Sequence, residues 1–558
     1  MRSLHVALLA LLSLVMVTPA RAARVTIDRT QRTQTIDGFG FFGAHDTWWG
    51  SAKDLVNTAW FDAVIDDLGI TVWRNEIYPP SDSISGQDAD WTKQKPVVQA
   101  MWNKAKASGV PLKIILTVWS PPSSMKCVVG SDTTPHPDGT KNGGSLCPSK
   151  RADYANYLVA ALKQYADLGV DVYALSFQNE PLFVEPYNSC VYTQKEYADT
   201  LAAIGPIIHA AYPGVKLFGS ENMLGTECGG ANGFDPYWYT ANVMKVPAAV
   251  SQMGIWAVHG YSDGVLATPT SQMSKYWASF YSGTATARLP IWMTETSGYV
   301  DTIEPSSTLP GALDLAQGIY AALYHGHASG WVWWQGSELG SSAPNEYDLM
   351  SSTTKRGKKY YVSKNFYRYI RPGAQMVQAA SDDAEVLVAA FDNDATKAFT
   401  VIAINGGTAS KSVTLSGANL PAEFQAYRTS TTENCASVGP VTPTTITLPA
   451  RSITSLVYGK VTEDPGSAGA GGAAGSGGAT GAGGATGSGT GGASTGSGGM
   501  TSSGGLGGGA GSGGSGGVVG NAKSGGCSCN LTARAQGAGT WSLALLPLGL
   551  LLARRRRR

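Results

Sequence analysis

The sequence predicts an α/β fold: a closed eight-stranded parallel (β/α)8 barrel with a small antiparallel β-sandwich at its side. Three observations predict it. Over 36–370, short apolar runs of strand character alternate with longer amphipathic ones. Two of those runs end in a glutamate followed by polar, Gly- or Pro-bearing loop sequence, as at the C-terminal mouth of a parallel barrel. Beyond 370 the texture becomes short strand-like runs punctuated by Gly, Asn, Asp and Pro.

Taken in order, the expected barrel strands are Phe39–Gly43, Thr71–Asn75, Lys113–Val118, Val172–Phe177, Lys216–Gly219, Trp256–His259, Pro290–Thr294 and Gly330–Trp334. Helical stretches lie between them. In Ala152–Leu168 apolar residues recur at three- and four-residue steps, and Ala312–His325 reads the same way. Eight strands alternating with helices over more than 300 residues suit a barrel better than an open doubly wound sheet. The sandwich is expected from Glu385–Phe391, Ala398–Asn405, Lys411–Leu415, Phe424–Arg428, Thr444–Leu448 and Ile453–Tyr458. Arg24–Asp28 supplies one more strand, so 24–35 and 371–461 together form the side domain and clamp both ends of the barrel.

The flanks read differently. Residues 1–23 form a secretory leader: Arg2, the apolar stretch Leu4–Val17, and a small-x-small cleavage site at Ala20-Arg21-Ala22. Residues 462–526 are dominated by Gly, Ala, Ser and Thr, too little apolar surface to offset ordering, and read as a flexible linker. Residues 527–558 carry Cys527 and Cys529, the apolar run Trp541–Ala553 and five terminal arginines. That run is short for a bilayer span, which takes about 20 residues. The segment reads as a sorting or anchor tag for a secreted or cell-surface protein, read by a membrane sorting protease. The compartment fits seven cysteines. Cys127, Cys147, Cys190 and Cys228 allow three pairings, of which proximity along the chain favours Cys127–Cys147.

A net charge of +1 speaks against nucleic acid or a strongly acidic partner. The 15 Trp and 24 Tyr suit stacking on sugar rings, although core packing accounts for much of that number. Neither cofactor nor metal is expected. Gly38-Phe39-Gly40-Phe41-Phe42-Gly43 formally matches a dinucleotide fingerprint, but its glycines fall inside the first strand and no helix pattern follows. It reads as a close-packed strand whose loop offers His45, Asp46 and Trp48 to the barrel mouth. No Cys-x-x-Cys or His-Glu-x-x-His spacing occurs, and His325 and His327 do not share a helical face. A serine triad fails too, for want of a Gly-x-Ser-x-Gly turn.

Glu180, in Gln178-Asn179-Glu180-Pro181, and Glu295, in Thr294-Glu295-Thr296-Ser297, are the chemistry-bearing pair. Two carboxylates converging above a barrel can split glycoside hydrolysis between proton donation and attack at the anomeric carbon. Trp119 in Trp119-Ser120-Pro121-Pro122 is either packed beside a rigid turn or a sugar platform. His259 and Tyr261 end the sixth strand, where the tyrosine hydroxyl can reach the nucleophilic carboxylate. Of Trp333 and Trp334, strand alternation sends one to the site and the other to the core.

These residues resemble family 30 of the glycoside hydrolases. The resemblance rests on Asp37-Gly38-Phe39-Gly40, Trp119 through Met125, Gln178 through Pro181, Trp292 through Glu295, Trp331 through Trp334, Ser363-Lys364-Asn365-Phe366 and Leu448 through Ser452, in order, over roughly 24–459. It implies a (β/α)8 barrel with a side β-sandwich that hydrolyses a β-linked glycan with retention. Glu180 is then the acid/base and Glu295 the nucleophile. Asn179 matches the residue at the sugar 2-hydroxyl and Arg74 an arginine beside the nucleophile; Trp334 joins the substrate-binding set. The xylanase-like branch is nearest, with β-1,6-glucanase, galactanase or glucosylceramidase activity, or a non-catalytic carbohydrate-binding surface protein, as alternatives. Glucuronate-requiring xylanases carry an arginine just after the eighth strand. Here Gln335-Gly336-Ser337-Glu338 follows, and Glu338 would repel a glucuronate, so action on a neutral polysaccharide is expected; a monomer is expected as well. The tail resembles myxobacterial-type sorting tags.

Overall fold

The computed structural model describes residues 22–43, 55–77, 91–127, 143–184, 188–228, 238–261, 271–339 and 342–461. Residues 1–21 of the leader, the loop bearing His45, Asp46 and Trp48, the linker and the tag lie outside the described residues, whereas Ala23 already opens a strand.

Eight parallel strands close the barrel in chain order: Gly38–Phe42, Val72–Ile77, Lys113–Val118, Val172–Ser176, Lys216–Met223, Met253–Gly260, Ile291–Thr296 and Ala328–Trp333. They are apolar almost throughout because both faces are covered. Ile114, Leu116 and Val118 pack outward on the main core, while Ile115 joins Val72, Ala174, Phe218, Ile255, Ala257, Trp292 and Val332 in the lumen. The first strand fits the close-packed reading. A Cβ at Gly40 would stand 1.7 Å from the Val72 carbonyl oxygen, so only glycine lets these two backbones approach.

The structure corrects several boundaries. The fifth strand runs past Gly219 to Met223, pairing Ser220 with Ala257 and Asn222 with Val258. Its polar end, Ser220-Glu221-Asn222, hides it from an apolar-run reading, yet all three side chains are buried against polar partners. The sixth strand begins at Met253, and the eighth ends at Trp333, leaving Trp334 just beyond it.

The side domain holds nine strands in one continuous ladder, and Ala23–Thr35 is an interior strand, third from one edge. That strand pairs antiparallel with Gln375–Ser381 and parallel with Lys411–Ser416, so the sheet is not wholly antiparallel. Val25, Val388, Val401, Leu415, Leu448 and Leu456 share its core. Two strands had no clear sequence signal. Gln375–Ser381 has polar residues at most outward positions, and Ala436–Val441 contains Gly and Pro, which an edge strand tolerates. Helix Lys358–Tyr367 ties barrel to sheet, with Asn365 donating to Ser455 Oγ (2.8 Å) and accepting from Thr429 (2.6 Å).

Cys127 and Cys147 are disulfide-bonded, with Cα atoms 5.1 Å apart. Cys190, Cys228 and Cys435 are buried thiols.

Candidate active site

The carboxylates converge because of where the fourth and seventh strands end. Glu295 lies within the seventh strand, and Glu180 lies four residues past the end of the fourth. The intervening turn is pinned: Asn179 N–H donates to the Val118 carbonyl (2.7 Å), and the Gln178 side chain donates to the Trp119 carbonyl (2.8 Å). Glu180 itself sits at φ 37°, a left-handed conformation uncommon outside glycine. Both glutamates are buried, at 7% and 5% exposure. One carboxylate oxygen of each, with a ring nitrogen of His259, fall within 4.8 Å of one another.

Arg74 is the inner anchor. It is fully buried, directed to the lumen like Val72 two residues earlier on the same strand face. Its guanidinium donates to Glu295, to Asn179 Oδ1 (2.9 Å), to Glu221 Oε1 (3.0 Å) and to Thr117 Oγ1 (3.1 Å). Burial opposes its charge, but Glu221 and Glu295 outweigh that and hold its pKa above the usual arginine value. Tyr261 OH donates to the other oxygen of Glu295.

His259 bridges two carboxylates. Its Nδ1 lies 2.8 Å from Glu180 Oε1 and its Nε2 3.3 Å from Glu221 Oε1. Burial works against the imidazolium; the charges of Glu295, Glu180 and Glu221 prevail and push its pKa up to about 9. Burial raises the Glu180 carboxyl above the usual carboxylate range, with His259 pulling the other way. Glu221, though fully buried, is held below that range by Arg74 and His259.

An aromatic wall completes the site. Trp334 stacks on Phe42 at 4.2 Å between centroids, and Trp119 lies 5.8 Å from Trp334 and 5.0 Å from the Arg74 guanidinium. Of the tryptophan pair, Trp333 is core, its indole donating to the Tyr347 carbonyl (2.7 Å), and half-buried Trp334 meets the wall. Arg74, Trp119, Asn179, Glu180, His259, Tyr261, Glu295 and Trp334 are therefore brought together. Past Trp334, Glu338 accepts from Asn345 Nδ2 (2.8 Å).

Glu221 and Phe42 belong to the same cluster and were not singled out from sequence. The available signal for Glu221 was a carboxylate at the C-terminal end of the fifth strand, masked because that strand was read as ending at Gly219. Glu180, His259 and Glu295 are spaced as a cation site would be. In this structure, however, both ring nitrogens of His259 already face carboxylate oxygens, Glu180 Oε1 at 2.8 Å and Glu221 Oε1 at 3.3 Å.

A parallel barrel with two carboxylates meeting at its C-terminal mouth is the scaffold of a glycoside hydrolase, and the chain belongs to that class of enzyme. In sequence it is similar to glucuronoxylanase XynC of Bacillus subtilis (strain 168), 24% identical over 385 residues, covering 69% of this chain and 78% of the relative. Among solved structures, the family 30 subfamily 8 xylanase Xyn30A of Clostridium acetobutylicum superposes with a TM-score of 0.60 at 25% identity, over 78% of this chain and 99% of that one. The endo-β1,6-glucanase BT3312 shares the fold, with a TM-score of 0.61 at 19% identity over 79% and 94% of the two chains. No family profile matches the chain.

Proposed function

We propose that this chain is a retaining β-glycosidase of the family 30 type that cleaves a neutral polysaccharide, xylan above all, without a cofactor. The observation that carries the reading is the approach of the Glu180 and Glu295 oxygens to within 4.8 Å. Retaining enzymes hold their carboxyl groups about 5–5.5 Å apart, whereas inverting ones leave about 6.5–9.5 Å for a water. Glu295 accepts from Arg74 and Tyr261, which orients its lone pairs for attack on the anomeric carbon. Glu180, whose protonated form burial favours, gives its proton to the departing glycosidic oxygen. Water deprotonated by Glu180 then displaces Glu295 from the glycosyl intermediate, which restores both carboxyl groups. Asn179 is placed for the sugar 2-hydroxyl, and Trp119 and Trp334 for the sugar faces.

The xylan preference rests on similarity to the xylanases. The neutral preference rests on Gln335 through Glu338 standing where glucuronate-requiring xylanases carry an arginine. The test is release of reducing ends from neutral xylan, glucuronoxylan, β-1,6-glucan, β-1,6-galactan and glucosylceramide. Fastest release is expected from neutral xylan, with a loss of at least about 10³-fold in Glu295→Gln. A rate advantage on glucuronoxylan that vanishes when glucuronate is removed contradicts the neutral preference. No release from any substrate leaves a non-catalytic carbohydrate-binding protein as the better account.

The leader composition and the Cys127–Cys147 bond support export, and the tail supports sorting at the cell surface. Intact-mass measurement of protein from its native host is expected to show a chain lacking Arg558. Retention of Arg558 on most exported molecules contradicts tag removal.

A further inference from the structure

We propose that Glu221 is a positioning residue that couples the two reactive carboxylates: its Oε1 holds Arg74 and His259 together, and each of those cations in turn holds one of the reactive pair. The inference rests on the roles proposed for Glu180 and Glu295 above.

The geometry is a continuous chain of charge from one glutamate to the other. From Glu295 the contacts run to Arg74 Nη1, from Arg74 Nη2 to Glu221 Oε1 (3.0 Å), from Glu221 Oε1 to His259 Nε2 (3.3 Å), and from His259 Nδ1 to Glu180 Oε1 (2.8 Å). Every member is buried. Glu221 has no exposed surface, and its backbone sits at φ 62°, a left-handed conformation that a glutamate adopts only where its surroundings enforce it. A buried carboxylate is costly unless paired, and this one is paired with both cations of the site.

Charge counting shows what the residue does. The groups facing His259 are Glu180 from the loop after the fourth strand, Glu221 from the fifth and Glu295 from the seventh; Arg74 from the second contacts Glu221 and Glu295. With Glu180 protonated, two anions (Glu221, Glu295) balance two cations (Arg74, His259). Without the Glu221 charge, His259 keeps a single direct carboxylate partner, and that partner must lose and regain a proton in each turnover. The imidazolium would then be poorly fixed when Glu180 is neutral. Arg74 would lose its ion partner on the side away from Glu295, freeing the guanidinium to shift relative to the nucleophile. Glu221 touches neither sugar nor reacting atoms in this scheme. It acts through its neighbours.

The test pairs kinetics with a direct view of the histidine. Glu221→Gln preserves shape and removes charge. Its kcat is expected to fall about 10²-fold, as when reacting groups are slightly misplaced, with KM changed less than threefold. The His259 ring, followed by ¹⁵N NMR and assigned by its absence in His259→Gln, is expected to titrate at least one pH unit lower than in the parent protein. Glu221→Asp, which keeps the charge, is expected to return the titration toward the parent value. A folded Glu221→Gln protein whose His259 titrates as in the parent overturns the proposal. Should that variant fail to fold, the parent protein still decides. A His259 with both nitrogens protonated at pH 7.5 supports the proposal, and a neutral ring there overturns it. Activity retained in Glu295→Gln would instead contradict the assigned roles while leaving the parent His259 titration as it is.

Discussion

At the scale of single residues, the site is a problem in buried charge. Arg74, Glu221 and His259 have no exposed surface, and Glu180 and Glu295 very little. Such groups persist only because each meets an opposite partner. His259 carries a measurable consequence. Its folded-state pKa of about 9 lies above its unfolded value of about 6.5. Protonation therefore favours the folded state. The contribution is fully present below pH 6.5 and lost as pH rises through about 9, a difference on the order of 3 kcal/mol. Melting temperatures of the parent protein and His259→Gln, compared from pH 5 to 10, are expected to converge across that window; a gap independent of pH contradicts it. Glu180, Glu295 and Asn179 stood out because each sits in a short motif at or just past a strand end, whereas Arg74 was singled out only through the family resemblance. Glu221 was not, because its neighbours Ser220 and Asn222 resemble loop sequence until their buried partners are known.

At the scale of elements, apolar runs revealed all eight barrel strands, since strands covered on both faces read as continuous hydrophobic stretches. Their ends were less legible. Polar residues that close a strand at a functional mouth look like turns, and Trp334 reads as a continuation of Trp331–Trp333 although it lies past the last paired residue. The glycines of the first strand were read correctly as packing devices. Gly40→Ala is expected to force its strand off the Val72 backbone and to destabilise by about 1–3 kcal/mol or more, read from chemical denaturation. A change below about 0.5 kcal/mol contradicts the close approach. Gln375–Ser381 and Ala436–Val441 escaped notice because polar, Gly and Pro residues dilute their alternation, and only pairing with neighbours makes them strands.

At the scale of the whole molecule, the described chain begins and ends in one sheet. Ala23–Thr35 and Ser452–Tyr458 lie on either side of the Gln375–Ser381, Val386–Asn393 and Ala398–Asn405 strands. The barrel helices Ala312–Tyr324 and Lys358–Tyr367 pack against that sheet. A side-domain strand at Arg24–Asp28 was expected from the sequence, and Ala23–Thr35 is one. The parallel pairing with Lys411–Ser416 was not, because the order of strands in a sheet leaves no mark on any one segment. The scaffold fixes the mutual position of the fourth and seventh strands, and with it the separation of Glu180 and Glu295, on which the proposed retaining mechanism depends. The most direct test is the stereochemistry of the first product, followed by ¹H NMR from the start of hydrolysis of a β-linked xylo-oligosaccharide. The β-anomer is expected to appear first and then mutarotate, and initial release of the α-anomer would contradict the double displacement.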